Sequence, residues 1–314
     1  MKVVITGGAG LIGSHIADLL VKKGVDNIII IDDFSRGKYD NLSWSKENGN
    51  VKIIKGSVLD SKLLLDIFDK TDFVFHQAAI RITQCATENR LAHDVMATGT
   101  FNVAEAAVKS GVKKIIAASS ASIYGQAKSF PTNENHNPYS DDTLYGATKS
   151  YLEKIFRSFK SMYDLDYVAL RYFNVYGPRM DTSGKYTEVI IRWLECIKNN
   201  RQPIIFGDGS ISMDLIHVKD VARANILAME KDITDEVFNI GTQKETTLKE
   251  LLSMILKMNN SSLSPIYKPL REVNSVQKRI ADINKAKMIL KFDPMIDIES
   301  GLKDLLNWYN SNTS

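Results

Sequence analysis

The segment Val3-Val4-Ile5-Thr6-Gly7-Gly8-Ala9-Gly10-Leu11-Ile12-Gly13 constrains this chain most, because it joins a β-branched apolar run to a helical pattern through closely spaced glycines. Gly7, Gly10 and Gly13 stand in a GxxGxxG spacing. At a strand-to-helix turn, glycine removes the Cβ that would block a pyrophosphate. The helix beyond offers unpaired N–H groups at the positive end of its dipole. The turn, with Leu11 and Ile12 inside it, is therefore a candidate cofactor-binding element.

Further along, short β-branched runs at 2–6, 27–31, 51–55, 72–76, 113–119 and 167–171 alternate with amphipathic segments at 11–23, 63–70, 91–110 and 144–162. Continuous apolar strands suit a parallel sheet covered on both faces. The expected fold class is α/β, a Rossmann-type doubly wound parallel sheet. After Tyr172 the alternation weakens, and four of the seven prolines fall in 176–209 and 261–274. Residues 1–175 are expected to form the Rossmann domain and 176–314 a smaller, interleaved substrate lobe, with 237–240 a candidate strand to rejoin the sheet.

The second apolar run ends in Asp32 and Asp33, nineteen and twenty residues after Gly13. A carboxylate there accepts hydrogen bonds from both ribose hydroxyls of an adenosine and repels a 2′-phosphate, which favours NAD over NADP. Arg36 lies close by and points the other way. The bland alternative for the two acids is a solvated strand end or a helix cap.

Composition removes other classes. Forty Lys and Arg against 37 Asp and Glu leave a net charge of +3, and no basic run exceeds a doublet, so nucleic-acid binding has no footprint. Cys85 and Cys196 are the two cysteines, without CxxC or paired-His spacing. That leaves no disulfide framework and no metal site, and points to a reducing compartment. No stretch approaches the roughly 18 apolar residues of a membrane span, and no leader precedes the first strand, so a cytoplasmic protein without a membrane partner is expected.

The second motif is Tyr145-Gly146-Ala147-Thr148-Lys149, which puts a phenol and an ammonium at i and i+4 on one helix face. A tyrosine with a pKa of about 10 is a poor base at neutral pH; a nearby cation, together with an oxidised nicotinamide, would stabilise its phenolate. Twenty-five residues before Tyr145, Ser120 belongs to Ser119-Ser120-Ala121-Ser122-Ile123-Tyr124-Gly125. This cluster follows a strand, so its hydroxyls should emerge at the carboxyl edge of the sheet, where ligands of open α/β sheets bind.

Taken together, GGAGLIGS, the serine cluster closed by Tyr124-Gly125, the YGATK helix and Arg171-Tyr172-Phe173-Asn174-Val175-Tyr176-Gly177-Pro178-Arg179 resemble the extended short-chain dehydrogenase/reductase superfamily over nearly the whole chain. More narrowly, they resemble its NAD-dependent nucleotide-sugar epimerases and dehydratases, of UDP-glucose 4-epimerase type. The resemblance implies that Tyr145 is the acid/base and that Lys149 binds the nicotinamide ribose and lowers the tyrosine pKa. It makes Ser120 the hydroxyl partner of the substrate O4, with Ser119 as the alternative. It places Ser57 and Val58 under the adenine and Ala78 and Ala79, in a His-x-Ala-Ala strand end, beside the cofactor. Asn174 and Arg271 match positions that contact the nucleotide-sugar diphosphate. Family members also dimerise through two helices per subunit, here 91–110 and 144–162, so a homodimer is expected.

Dehydratases of this superfamily resemble one another in carrying Asp-Glu or Glu just after the active-site hydroxyl; this chain has Ala121-Ser122. Without that carboxylate a C5 proton has no evident acceptor, which favours reversible oxidation at C4 through a 4-keto intermediate. The expected function is a nucleotide-sugar 4-epimerase, with a UDP-hexose as favoured substrate. A dehydratase or 4-keto reductase of the same superfamily is the alternative. A non-catalytic NAD-binding regulator stands last, because it would have no need of the acid/base pair. Departures from the family pattern are Met213 in place of a frequent arginine, Met96 in place of a frequent asparagine, and Ser57 in place of a carboxylate.

Overall fold

Strands β1 (Lys2–Thr6), β2 (Asn27–Asp32), β3 (Val51–Lys55), β4 (Phe73–His76), β5 (Lys114–Ser120) and β6 (Asp166–Tyr172) form one parallel sheet together with the strand Glu236–Ile240. The structure is a computed structural model and describes residues 1–137, 141–182, 187–270 and 276–312. From one edge the order is Glu236–Ile240, β6, β5, β4, β1, β2, β3, with every neighbouring pair parallel. The order reverses between β1 and β4, where a doubly wound sheet opens its crevice.

Alternate residues of each strand feed opposite cores, which is why the strands read as continuous apolar runs. Val3, Ile5, Ile28, Ile30, Ile116 and Leu170 pack on one face against helix Leu11–Lys22 and helix Val218–Glu230. Val4, Ile29, Ile31, Val74, Ile115 and Ala169 pack on the other, against helices Ser61–Phe68, Gly99–Lys109 and Leu144–Tyr163. A third core lies beyond the carboxyl edge, built on Tyr176, Trp193, Ile205, Leu251, Ile255 and Leu305. Leu11 packs against that third core, so the lobe rests on the glycine turn.

The helix expected over 91–110 runs without a break over 89–109 but carries a π-helical turn. Helix Asn89–His93 runs into a π-helical turn, Asp94–Thr98, before helix Gly99–Lys109. The Gly99 N–H donates to the Asp94 carbonyl five residues back, and the Thr100 hydroxyl donates to the Met96 carbonyl at 2.6 Å. One extra residue in a turn shifts the buried face without disturbing apolar spacing enough to be read. Among the described residues no helix is long and apolar enough to cross a membrane, and Cys85 and Cys196 are free thiols.

Candidate active site

A cavity of about 1300 Å³ separates the carboxyl edge of the sheet from the lobe. It exceeds the roughly 300–1,000 Å³ of ordinary small-ligand clefts, so it has room for two ligands side by side. Gly7, Gly10, Leu11, Ile12 and Gly13 line it at the end of β1. Gly7 has φ +66°, and a Cβ there would lie 2.7 Å from the backbone of Ala78; a Cβ on Gly13 would lie 2.5 Å from the Gly7 carbonyl. The turn therefore closes only with glycine. Gly10 caps helix Leu11–Lys22 without a side-chain bond, and no acid stands in the first turn. Its N–H groups are left to an anion.

Asp32 and Asp33 reach the same cavity from the end of β2. The Asp32 carboxylate accepts from the N–H of Ala9 and of Phe34, each at 2.9 Å, which fixes it at the floor beside the turn. Burial raises its pKa, with the two backbone donors opposing. Asp33 is exposed and accepts from Ser35 N–H and Oγ at 2.8 and 2.6 Å. Ser57 and Val58 follow β3, and Ala78 and Ala79 follow β4, all on the cavity wall. A glycine cradle, a free helix end and an adjacent carboxylate form a donor and acceptor set that fits a dinucleotide.

The chemical groups converge from two elements. Ser119 and Ser120 end β5, and Tyr145 and Lys149 lie on one face of helix Leu144–Tyr163, which Thr143 caps by accepting from Gly146 N–H at 3.0 Å. Ser120 is hydrogen-bonded to the Tyr145 phenol, whereas the Ser119 hydroxyl donates to Glu153 behind the wall. Of the two serines, Ser120 is the one turned to the tyrosine. The Lys149 ammonium is buried, donates to the Ala118 carbonyl at 2.6 Å and lies 5.7 Å from the Tyr145 ring centre.

The protein around the Tyr145 phenol acts on it mainly through burial. Tyr145 opens partly on the cavity, yet the protein around it pushes the phenol up to about 12, with the Ser120 hydrogen bond opposing. Burial likewise brings Lys149 down to about 8. Desolvation favours the neutral form of each, with Ser120 and Arg279 opposing it at the phenol and Cys85 and Glu153 at the ammonium. His76, beside this site, is a satisfied core histidine: Nδ1 meets Thr6 Oγ1 at 2.8 Å and Nε2 meets Thr100 Oγ1 at 3.2 Å, and burial takes its pKa to about 3.

Asn174 also lines the cavity, and its side-chain amide donates to the Asp214 carbonyl at 3.1 Å. Arg271 lies outside the described residues.

The model of the NAD dependent epimerase/dehydratase family matches residues 3–241. The chain belongs to this family. It is 37% identical over 312 residues to a putative UDP-glucose 4-epimerase of Methanocaldococcus jannaschii, covering 99% of each chain. Its fold matches that of the UDP-glucose 4-epimerase of Thermotoga maritima, solved with UDP-glucose, at a TM-score of 0.94 and 36% identity over 100% of both chains. It also matches the UDP-glucuronic acid 4-epimerase of Bacillus cereus, solved with UDP-glucuronic acid and NAD, at a TM-score of 0.89 and 28% identity over 99% of both.

As a member of the epimerase/dehydratase family, the chain brings further residues to the cavity that sequence spacing does not reveal. Arg279 lines it from a short strand, Lys278–Arg279, whose parallel register sets Arg279 beside Met213. Arg81 lines it from the loop after β4, 3.5 Å from Glu188. No spacing rule links positions as far apart as these. The one available signal is that Arg279 follows Lys278 just before the apolar pair Ile280-Ala281.

Proposed function

We propose that the protein is an NAD-dependent nucleotide-sugar epimerase that inverts C4 of a UDP-hexose. The observation that carries this reading is the convergence of Ser120, Tyr145 and Lys149 on one cavity that also holds the glycine turn and Asp32. NAD, when bound, supplies reversible two-electron chemistry at C4. Tyr145, as the phenolate, would take the proton of the C4 hydroxyl and return it after the sugar has presented its other face. Ser120, hydrogen-bonded to the phenol, would align the C4 hydroxyl with it. The Lys149 cation holds the nicotinamide-ribose side and opposes the burial that keeps the phenol protonated. Gly7 to Gly13 would hold the pyrophosphate, Asp32 the adenosine ribose and Asn174 the substrate diphosphate, a role the family resemblance also gives Arg271.

Elimination is disfavoured because Ala121 and Ser122 follow Ser120 and bring no carboxylate to that edge. The test is proton NMR of UDP-glucose, UDP-galactose and other UDP-hexoses with the purified protein, with and without added NAD. C4 interconversion without net redox change is expected and should vanish in Tyr145→Phe. A 6-methyl or persistent 4-keto signal would overturn the reading in favour of a dehydratase.

Two features accompany this reading. A homodimer through the helices Gly99–Lys109 and Leu144–Tyr163 is supported by exposed Phe101, Met162 and Tyr163 on them, and sedimentation at micromolar concentration tests it. A cytoplasmic location suits the two free thiols.

A further inference from the structure

An ion pair at the rim of the cavity takes no part in the sugar chemistry. Arg36 lies in the turn after β2, four residues beyond Asp32, and its Nη2 is 3.0 Å from Oδ2 of Asp181. Asp181 belongs to the loop after the strand Asn174–Tyr176, so the pair joins segments 145 residues apart. The side chains are 28% and 18% exposed, and both line the cavity.

The direction of the Arg36 guanidinium is what matters. Arg36, Arg81 and Asp181 all line the cavity, and Arg81 lies near enough to feel both partners of the pair. Arg36 is held by Asp181 of the lobe loop, 3.0 Å away. A carboxylate at the end of the second strand suits a free ribose 2′-hydroxyl, while a 2′-phosphate calls for an arginine close by. In this turn Arg36 is the guanidinium available for that purpose; Lys38 is exposed and offers a point charge without the two-point fork.

We propose that Asp181 is a cofactor-selectivity residue: by holding Arg36 against the lobe loop it withholds the guanidinium from a 2′-phosphate beside Asp32. The preference for NAD over NADP then has two sources, repulsion by Asp32 and sequestration of Arg36. Asp181 acts through Arg36 and is a positioning residue. This rests on NAD as the cofactor and not on the sugar reaction, so failure of the epimerase reading leaves it standing.

The test measures NAD⁺ and NADP⁺ affinities by equilibrium dialysis of protein stripped of nucleotide, for Asp181→Asn, Arg36→Gln and the double variant. Releasing Arg36 in Asp181→Asn should raise the NADP⁺-to-NAD⁺ affinity ratio about tenfold, the scale of one charge-assisted hydrogen bond. NAD⁺ should remain the tighter ligand, because Asp32 is unchanged. Arg36→Gln alone should leave the ratio at the wild-type value, and the double variant should return to it. An unchanged ratio in Asp181→Asn, a gain that persists in the double variant, or an equal loss of both nucleotides would overturn the proposal. A partly exposed ion pair contributes little to folding, and Asp181→Ala carries the same expectation should the asparagine variant fold poorly.

Discussion

Glu153→Gln should destabilise the protein by about 3 kcal/mol, and the reason lies just behind the cavity wall. Glu153 stands one helical turn after Lys149 and meets Arg171 of β6 at two points, Nε–Oε1 2.9 Å and Nη2–Oε2 2.7 Å. The two side chains are 7% and 12% exposed. Arg171 also donates to the Tyr124 hydroxyl at 2.8 Å and to the Glu134 carbonyl at 3.0 Å, and Ser119 donates to Glu153. Desolvation leaves such a pair little net stabilisation, but neutralising one partner strands the other, at a cost of about 3–5 kcal/mol. Glutamine keeps one acceptor for the guanidinium, which sets the lower end. With about 2.1 cal/mol/K per residue over 314 residues, the midpoint of thermal unfolding should fall by roughly 5 °C. A second effect reaches the site. Burial brings Lys149 down to about 8, with Cys85 and then Glu153 opposing it. Without Glu153 the ammonium loses its proton at lower pH, so the alkaline limb of activity should shift downward. Thermal unfolding followed by circular dichroism and the pH profile of kcat read the two effects separately. A midpoint change under about 1 °C would refute the stranded-charge argument. A lowered midpoint with an unmoved alkaline limb would refute the coupling to Lys149.

Tyr145→Phe should lower kcat by about 10²–10⁴-fold with the fold intact, measured by NMR turnover beside circular dichroism. Gly13→Ala drives a Cβ to 2.5 Å from the Gly7 carbonyl and 2.6 Å from Gly8 Cα, both backbone and unable to swing aside. Overpacking of this kind costs about 1–3 kcal/mol, and the purified variant should carry less bound nucleotide than the wild type. His15 and His76 are held neutral by burial, each near pKa 3 against 6.5 in the unfolded chain. Their contribution is fully present above pH 6.5 and is lost as pH falls toward 3, with a slope of up to about 1.4 kcal/mol per pH unit for each. Urea midpoints between pH 7 and 5 should therefore vary less in His76→Asn than in the wild type; equal slopes would contradict the buried neutral imidazole.

The sheet was legible because its central strands are buried on both faces. A parallel strand so placed has no polar residue to interrupt it, and Ile28 to Ile31 or Ile115 to Ala118 stand out without any alternation. Short pieces of the lobe, such as Ser212–Met213 and Lys278–Arg279, are two residues long and carry no periodicity to read. The π-turn at Asp94–Thr98 escaped for a related reason, since one inserted residue leaves the flanking helical pattern in place. Tyr145 and Lys149 could be set on one helix face from spacing alone, and the turn glycines beside the strand end likewise. Arg171 with Glu153 and Arg36 with Asp181 could not, because each pair exists only once the sheet order and the lobe bring distant segments together.

Burial of the tyrosine is what spacing leaves out. An i, i+4 phenol and ammonium suggest mutual stabilisation of their charged forms, yet the same packing that aligns them strips water from both. Burial pushes Tyr145 up to about 12 and Lys149 down to about 8, so between those values the neutral forms of both groups are favoured. Near neutral pH the cation survives and the phenol keeps its proton. The isolated pair is therefore an acid awaiting a reason to become a base. Lys149 is fastened to the Ala118 carbonyl and cannot move toward the phenolate without giving up that bond. Among the neighbouring cations it is the Arg279 guanidinium that draws the phenol down against burial.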